Sequence, residues 1–197
     1  MLAHPSLAAN ALIVVGESFW VFSGGAQLRR LSRTKNTKGL SAVSTTLNSA
    51  GNVGWVTYFA LNHLWYPFFT NIVVLIISII TLGYILSNRK QFIRGLITIA
   101  IVGPITSYTL IHAPSLSGWL AVLYNNLAST PQLFKIIVRK KVSGLSEKGL
   151  FFATGASSFT LCYALIIHSV PLITGCLLGL LFDAVVYRFY YTHRQHD

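Results

Sequence analysis

The chain has 197 residues, of which 53% are hydrophobic and 10% charged, with fifteen Lys and Arg against four Asp and Glu. Soluble domains carry about 25% charged residues, so this composition excludes a soluble globular fold, whose surface it does not suffice to cover. The net charge of +11 sits between apolar runs, which assigns it to membrane topology and lipid headgroup contact rather than to nucleic acid.

A bilayer crossing needs about 20 apolar residues, and seven such runs follow one another at 8–28, 41–61, 66–87, 92–112, 116–137, 147–168 and 170–191. The first carries Glu17 in its middle and a Gly24-Gly25 pair near its end. It has no basic leading segment and stops at Arg29, Arg30 and Arg33, so it reads as a retained span, not a cleaved signal. On the second, Asn48, Asn52 and Trp55 fall at i, i+4 and i+7 and share one helical face. Amides that need partners beside a flat indole suit a sugar, whose hydroxyls take hydrogen bonds and whose C–H faces lie on aromatic rings. A packing aromatic is the competing reading for Trp55. The third run opens with Pro67 and places Asn71 in "FFTNIVV"; the competing reading for Asn71 is an interhelical hydrogen bond.

The fifth run contains "ASTPQLF", with Pro131 and Gln132 near its end. Proline lacks an amide donor and its ring clashes with the carbonyl four residues back, here Leu127, which predicts a kink or break. An unpaired carbonyl in lipid costs several kcal/mol unless protein or a wet cavity satisfies it. Asn125, Asn126, Ser129 and Thr130 stand ready to do so, and the feature reads as a hinge. The sixth and seventh runs hold Ser157, Thr160, Cys162, Cys176 and Asp183. Cysteines inside spans predict no structural disulfide and no metal site. Glu17 and Asp183 are ionisable groups at membrane depth, which usually face the bundle interior; both are candidates for proton coupling, with an Arg188 partner as the structural alternative for Asp183. His63, His112 and His168 sit at span ends. No G-x-S-x-G, H-E-x-x-H or P-loop pattern is present, so neither an enzyme nor a cofactor is expected.

All fifteen cations fall on one side, at or near the ends where spans one, three, five and seven finish, while "LNHLWYP", "HAPSLSG" and "HSVP" hold none. The positive-inside rule then predicts an external N-terminus and a cytoplasmic C-terminus.

The chain also repeats itself. At an offset of 105, Gln27 and Gln132, Leu28 and Leu133, Lys35 and Lys140, and "GLS" at 39–41 and 144–146 coincide, as do Tyr58 and Tyr163, and His63 and His168. The offset covers four spans, an even number, so the two units run the same way through the membrane and the fourth span is a linker. The expected architecture is an all-α membrane protein of two parallel three-helix repeats joined by one helix (3+1+3), with 1-90, 91-113 and 114-197 as its parts. Parallel repeats of this kind place a solute site between them near the midplane.

The PQ dipeptide, the basic turn ending in GLS and the paired three-helix units resemble the PQ-loop superfamily, and within it the SWEET (MtN3/saliva) sugar transporters and their bacterial relatives. The resemblance implies a transporter in a bacterial inner membrane that moves a small polar solute, a sugar, by alternating access. Its other branches imply a proton-coupled, cystinosin-like amino-acid transporter or a non-transporting receptor. A homo-oligomer is compatible with it. In SWEETs a tryptophan late in the second helix and an asparagine early in the third bind substrate, which carries over to Trp55 and Asn71. The matching positions of the second unit are Thr160 and Cys176, with Ser157 opposite Asn52. Family hinges are prolines of the first helix of each unit. Pro131 fits, whereas Ala26 stands where the first proline is expected, so Gly24 and Gly25 beside Gln27 take the hinge role there.

Overall fold

The computed structural model describes residues 6–35, 37, 40–139 and 147–193, and their side chains except those of Arg89, Gln132, 135–139, 147–149, Tyr190 and His193. Among them are seven α-helices, α1 (Leu7–Thr34), α2 (Ala42–Leu61), α3 (Trp65–Leu86), α4 (Arg89–His112), α5 (Ser117–Arg139), α6 (Glu147–Ile166) and α7 (Val170–His193), with one 3-10 turn at Pro114–Leu116. They match the seven apolar runs in order and, within a few residues, in extent. The main difference is α1, which continues through the arginine-rich turn to Thr34. Leu and Arg are good helix formers, so charge alone does not end the helix. Lys35 does, at φ 49°, with its N–H on the Leu31 carbonyl. Hydroxyl caps start α1 and α2: Ser6 accepts from Ala9 N–H and Ser41 from Ser44 N–H.

Four of the helices are long and apolar enough to cross a membrane: Leu7–Thr34, Trp65–Leu86, Lys90–His112 and Val170–Phe189. The chain is an integral membrane protein. The less apolar α2 and α5 direct polar and small residues at each other. A side chain at Gly51 would collide with the Asn125 carboxamide, and one at Gly54 would stand 2.8 Å from the Ser117 carbonyl oxygen. Small residues of this kind let helix backbones approach closely.

The helices form a ring. α3 packs against both α1 and α2, and α7 against both α5 and α6. The ring closes where α2 meets α5 and where α1 meets α6. α4 lies outside it, chiefly against α2. The largest buried cluster, including Ile13, Tyr58, Phe59, Leu64, Tyr163 and Ile167, knits α1, α2 and α6 together near one end of the bundle.

Pro131 does not break its helix: α5 runs through it to Arg139. Proline removes the bond that an N–H here would make to the Leu127 carbonyl, and side chains donate to the carbonyls on either side of it. Ser129 and Thr130 hydroxyls donate to the Asn125 and Asn126 carbonyls, and Ser44 of α2 donates to the Ala128 carbonyl. Gln132 is in the same helix, but its side chain lies outside the described residues, as does the second "GLS" turn.

Candidate functional site

Glu17 faces inward from the middle of α1 and is 4% exposed. Its carboxylate accepts a hydrogen bond from the Asn71 amide of α3 at 3.0 Å, and the same amide nitrogen donates to the Pro67 carbonyl at 2.9 Å. Asn71 thus spends both amide hydrogens inside the protein and is itself buried. Gly16, the preceding residue of α1, faces α6, where a Cβ would come within 2.9 Å of Thr160 Oγ1. Glu17 thus ties α1 to α3, while its neighbour Gly16 sets α1 against α6.

Trp55 approaches from α2. Its indole stacks on Phe59 with ring centroids 5.8 Å apart and meets Tyr58 edge-on. Its outer edge lies against Gly175 of α7, where an added Cβ would be 3.5 Å away. One turn along α2, Asn52 is buried and donates to Asn48 Oδ1 at 3.2 Å, while Asn48 itself is exposed. Ser157 is buried on α6, and a Cβ at Gly179 of α7 would stand 3.3 Å from its hydroxyl.

Several buried polar atoms in this region have no hydrogen-bond partner among the described residues: Thr160 Oγ1, Tyr163 Oη and Asn125 Oδ1. A buried polar group left unsatisfied costs about 1–3 kcal/mol. They lie at different seams: Thr160 Oγ1 beside Gly16 where α1 meets α6, Asn125 Oδ1 beside Gly51 where α2 meets α5, and Tyr163 within the apolar cluster of α1, α2 and α6.

Of the residues singled out in the sequence, Glu17 and Asn71 are joined by a hydrogen bond, Thr160 lies beside Gly16, Trp55 lies beside Gly175, and Cys176 is buried on α7. Asp183 does not join them. It lies half-buried between α6 and α7 and accepts from the Thr154 hydroxyl at 3.0 Å. Among the described residues its partner is thus Thr154 and not Arg188: a carboxylate on the inner side of α7 meets α6, whereas Arg188 projects outward. Gly24 packs toward Ile77 of α3, Gly25 has open space beside it, and Gln27 is exposed. Sequence reasoning used Tyr58 and Tyr163 only as repeat markers and missed Asn125 as a site candidate. The match of Tyr163 to Tyr58 at an offset of 105 was the available signal for Tyr163.

No family model matches the sequence, and neither does any curated protein. Among solved structures, the fold is similar to that of a eukaryotic SWEET transporter, with a TM-score of 0.74 and 11% identity over 96% of this chain and 98% of that one.

Proposed function

We propose that this protein is a membrane transporter that moves a small polar solute, a sugar, by alternating access between two three-helix bundles within 1-90 and 114-197, with α4 as the linker. The observation that carries the reading is that buried hydroxyl and amide oxygens on α5 and α6 lack partners among the described residues, while α1, α2 and α3 contribute the Glu17–Asn71 pair and the Trp55 indole. Sugar hydroxyls donate and accept, so they suit such groups, and a sugar C–H face suits the indole. The ring supports the two-bundle arrangement: α3 sits between its neighbours in one half as α7 does in the other, and α4 stands apart. The fold likeness to a protein named as a SWEET transporter points the same way. The cation distribution supports an external N-terminus and a cytoplasmic C-terminus; a bacterial inner membrane is the setting proposed with them.

Uptake of labelled glucose and sucrose into proteoliposomes tests this. Saturable uptake above empty vesicles, without need of a pH gradient, is expected; its absence for every solute tried would favour a non-transporting receptor. A second reading, a proton-coupled amino-acid transporter, is favoured by one observation: the site contains a carboxylate with no cation beside it among the described residues. That carboxylate can take a proton or face an ammonium group. Amino-acid accumulation driven by a pH gradient would select it.

A further inference from the structure

On the outer face of the bundle, between α1 and α3, a groove of about 790 Å³ runs along the basic end of α1. Its floor is apolar, made by Phe22 and Ala26 of α1 and Ile77 of α3. The groove exists because of two glycines with different surroundings. At Gly24 a Cβ would touch Ile77 at 3.3 Å, so the helices meet there, whereas beside Gly25 nothing lies within 4 Å. Phe22, Ala26, Arg29 and Arg33 fall at i, i+4, i+7 and i+11, one continuous stripe. That stripe is about 16 Å long at 1.5 Å per residue, close to half the hydrocarbon thickness of a bilayer. The only acid of α1, Glu17, is buried on the inside and bonded to Asn71, so it does not neutralise the arginines of this face.

We propose that the groove binds one anionic phospholipid, an acyl chain lying on Phe22, Gly25, Ala26 and Ile77 and the phosphate held by Arg29 and Arg33. Guanidinium groups match phosphate oxygens in paired hydrogen bonds, which gives the headgroup its preference for acidic lipid. The apolar floor leading from the arginines into the hydrocarbon commits the site to a lipid, because a free anion has no use for it. The site is independent of what the bundle interior carries.

The experiment titrates the full chain, purified in mild detergent, with phosphatidylglycerol, phosphatidylcholine of matched chains, or inorganic phosphate, and counts retained molecules by native mass spectrometry. One phosphatidylglycerol should be retained with a preference of about tenfold over phosphatidylcholine. Arg29→Gln with Arg33→Gln should remove the preference. Gly25→Leu, which fills the groove and leaves the charge unchanged, should remove retention itself. Equal retention of both lipids would overturn the proposal. So would competition by inorganic phosphate at matched concentration, which would mark a surface anion site, or undiminished retention in Gly25→Leu, which would mean that loop charge alone attracts the lipid. Loss of lipid in favour of a dimer of this chain would overturn it as well.

Discussion

The Tyr58 hydroxyl hydrogen-bonds Ser169 at 2.6 Å, whereas the hydroxyl of Tyr163, 105 residues after Tyr58, has no partner among the described residues. The two turns that follow these tyrosines are alike. His63 and His168 take φ 54° and 55°, and Leu64 and Ser169 donate their N–H groups to the Phe59 and Ala164 carbonyls at 2.9 and 3.0 Å. The residue matching Ser169 is Leu64, which has no hydroxyl to offer. One half of the duplicated pair is closed by a hydrogen bond and the other is left open.

Restoring the symmetry makes a prediction. Leu64→Ala should cost about 2–5 kcal/mol as a buried truncation. Leu64→Ser, normally no better than Ala in an apolar core, should here be the more stable by about 1 kcal/mol because it supplies the partner Tyr163 lacks. In a Tyr163→Phe background the advantage should vanish, as a double-mutant cycle in detergent unfolding would read. A serine variant less stable than the alanine one would show that the two turns do not place residues 64 and 163 as they place 169 and 58.

For the solute site, Asn71→Ala should abolish sugar uptake and also leave the Glu17 carboxylate without its amide donor. Glu17→Gln keeps an oxygen that accepts from Asn71, so downhill uptake should survive it. Uptake and thermal stability measured together check this. If Glu17→Gln removes gradient-driven accumulation but spares exchange, the coupled amino-acid reading replaces the sugar one. Trp55→Ala should also abolish uptake, and because the indole stacks on Phe59, a modest loss of stability should accompany it.

Pro131→Ala restores an amide donor to α5. If the position is a hinge despite the continuous helix, flux should fall more than equilibrium binding, since a tenfold slower interconversion needs only about 1.4 kcal/mol. Spin labels on the ends of α1 and α5 would report the distance distribution. An unchanged distribution with normal flux would leave Pro131 a packing feature.

Topology is checked by labelling. In a Cys162→Ser background, which removes the exposed native thiol, a cysteine at Ser115 should react from outside the cell and one at Thr37 only from the cytoplasm. Reaction of both from one side would break the seven-span order and the parallel relation of the repeats.

Much of this was legible along the chain. Helix number, order and extent follow from runs of apolar residues, because hydrocarbon thickness and backbone hydrogen bonding act locally on each segment. The likeness of the turns after Tyr58 and Tyr163 was legible too, as matches at an offset of 105. Rotation of each helix about its own axis was not. Asn48 and Asn52 share a face of α2, yet one is exposed and the other buried, because burial depends on which neighbour covers each turn. Asp183 and Glu17 looked alike as carboxylates in apolar runs, and only packing separated them, one onto Thr154 and the other onto Asn71. Contacts such as Tyr58 with Ser169 join residues 111 apart. They exist because α1 meets α6 and α2 meets α5, and the order of residues within any single helix carries no information about its partner.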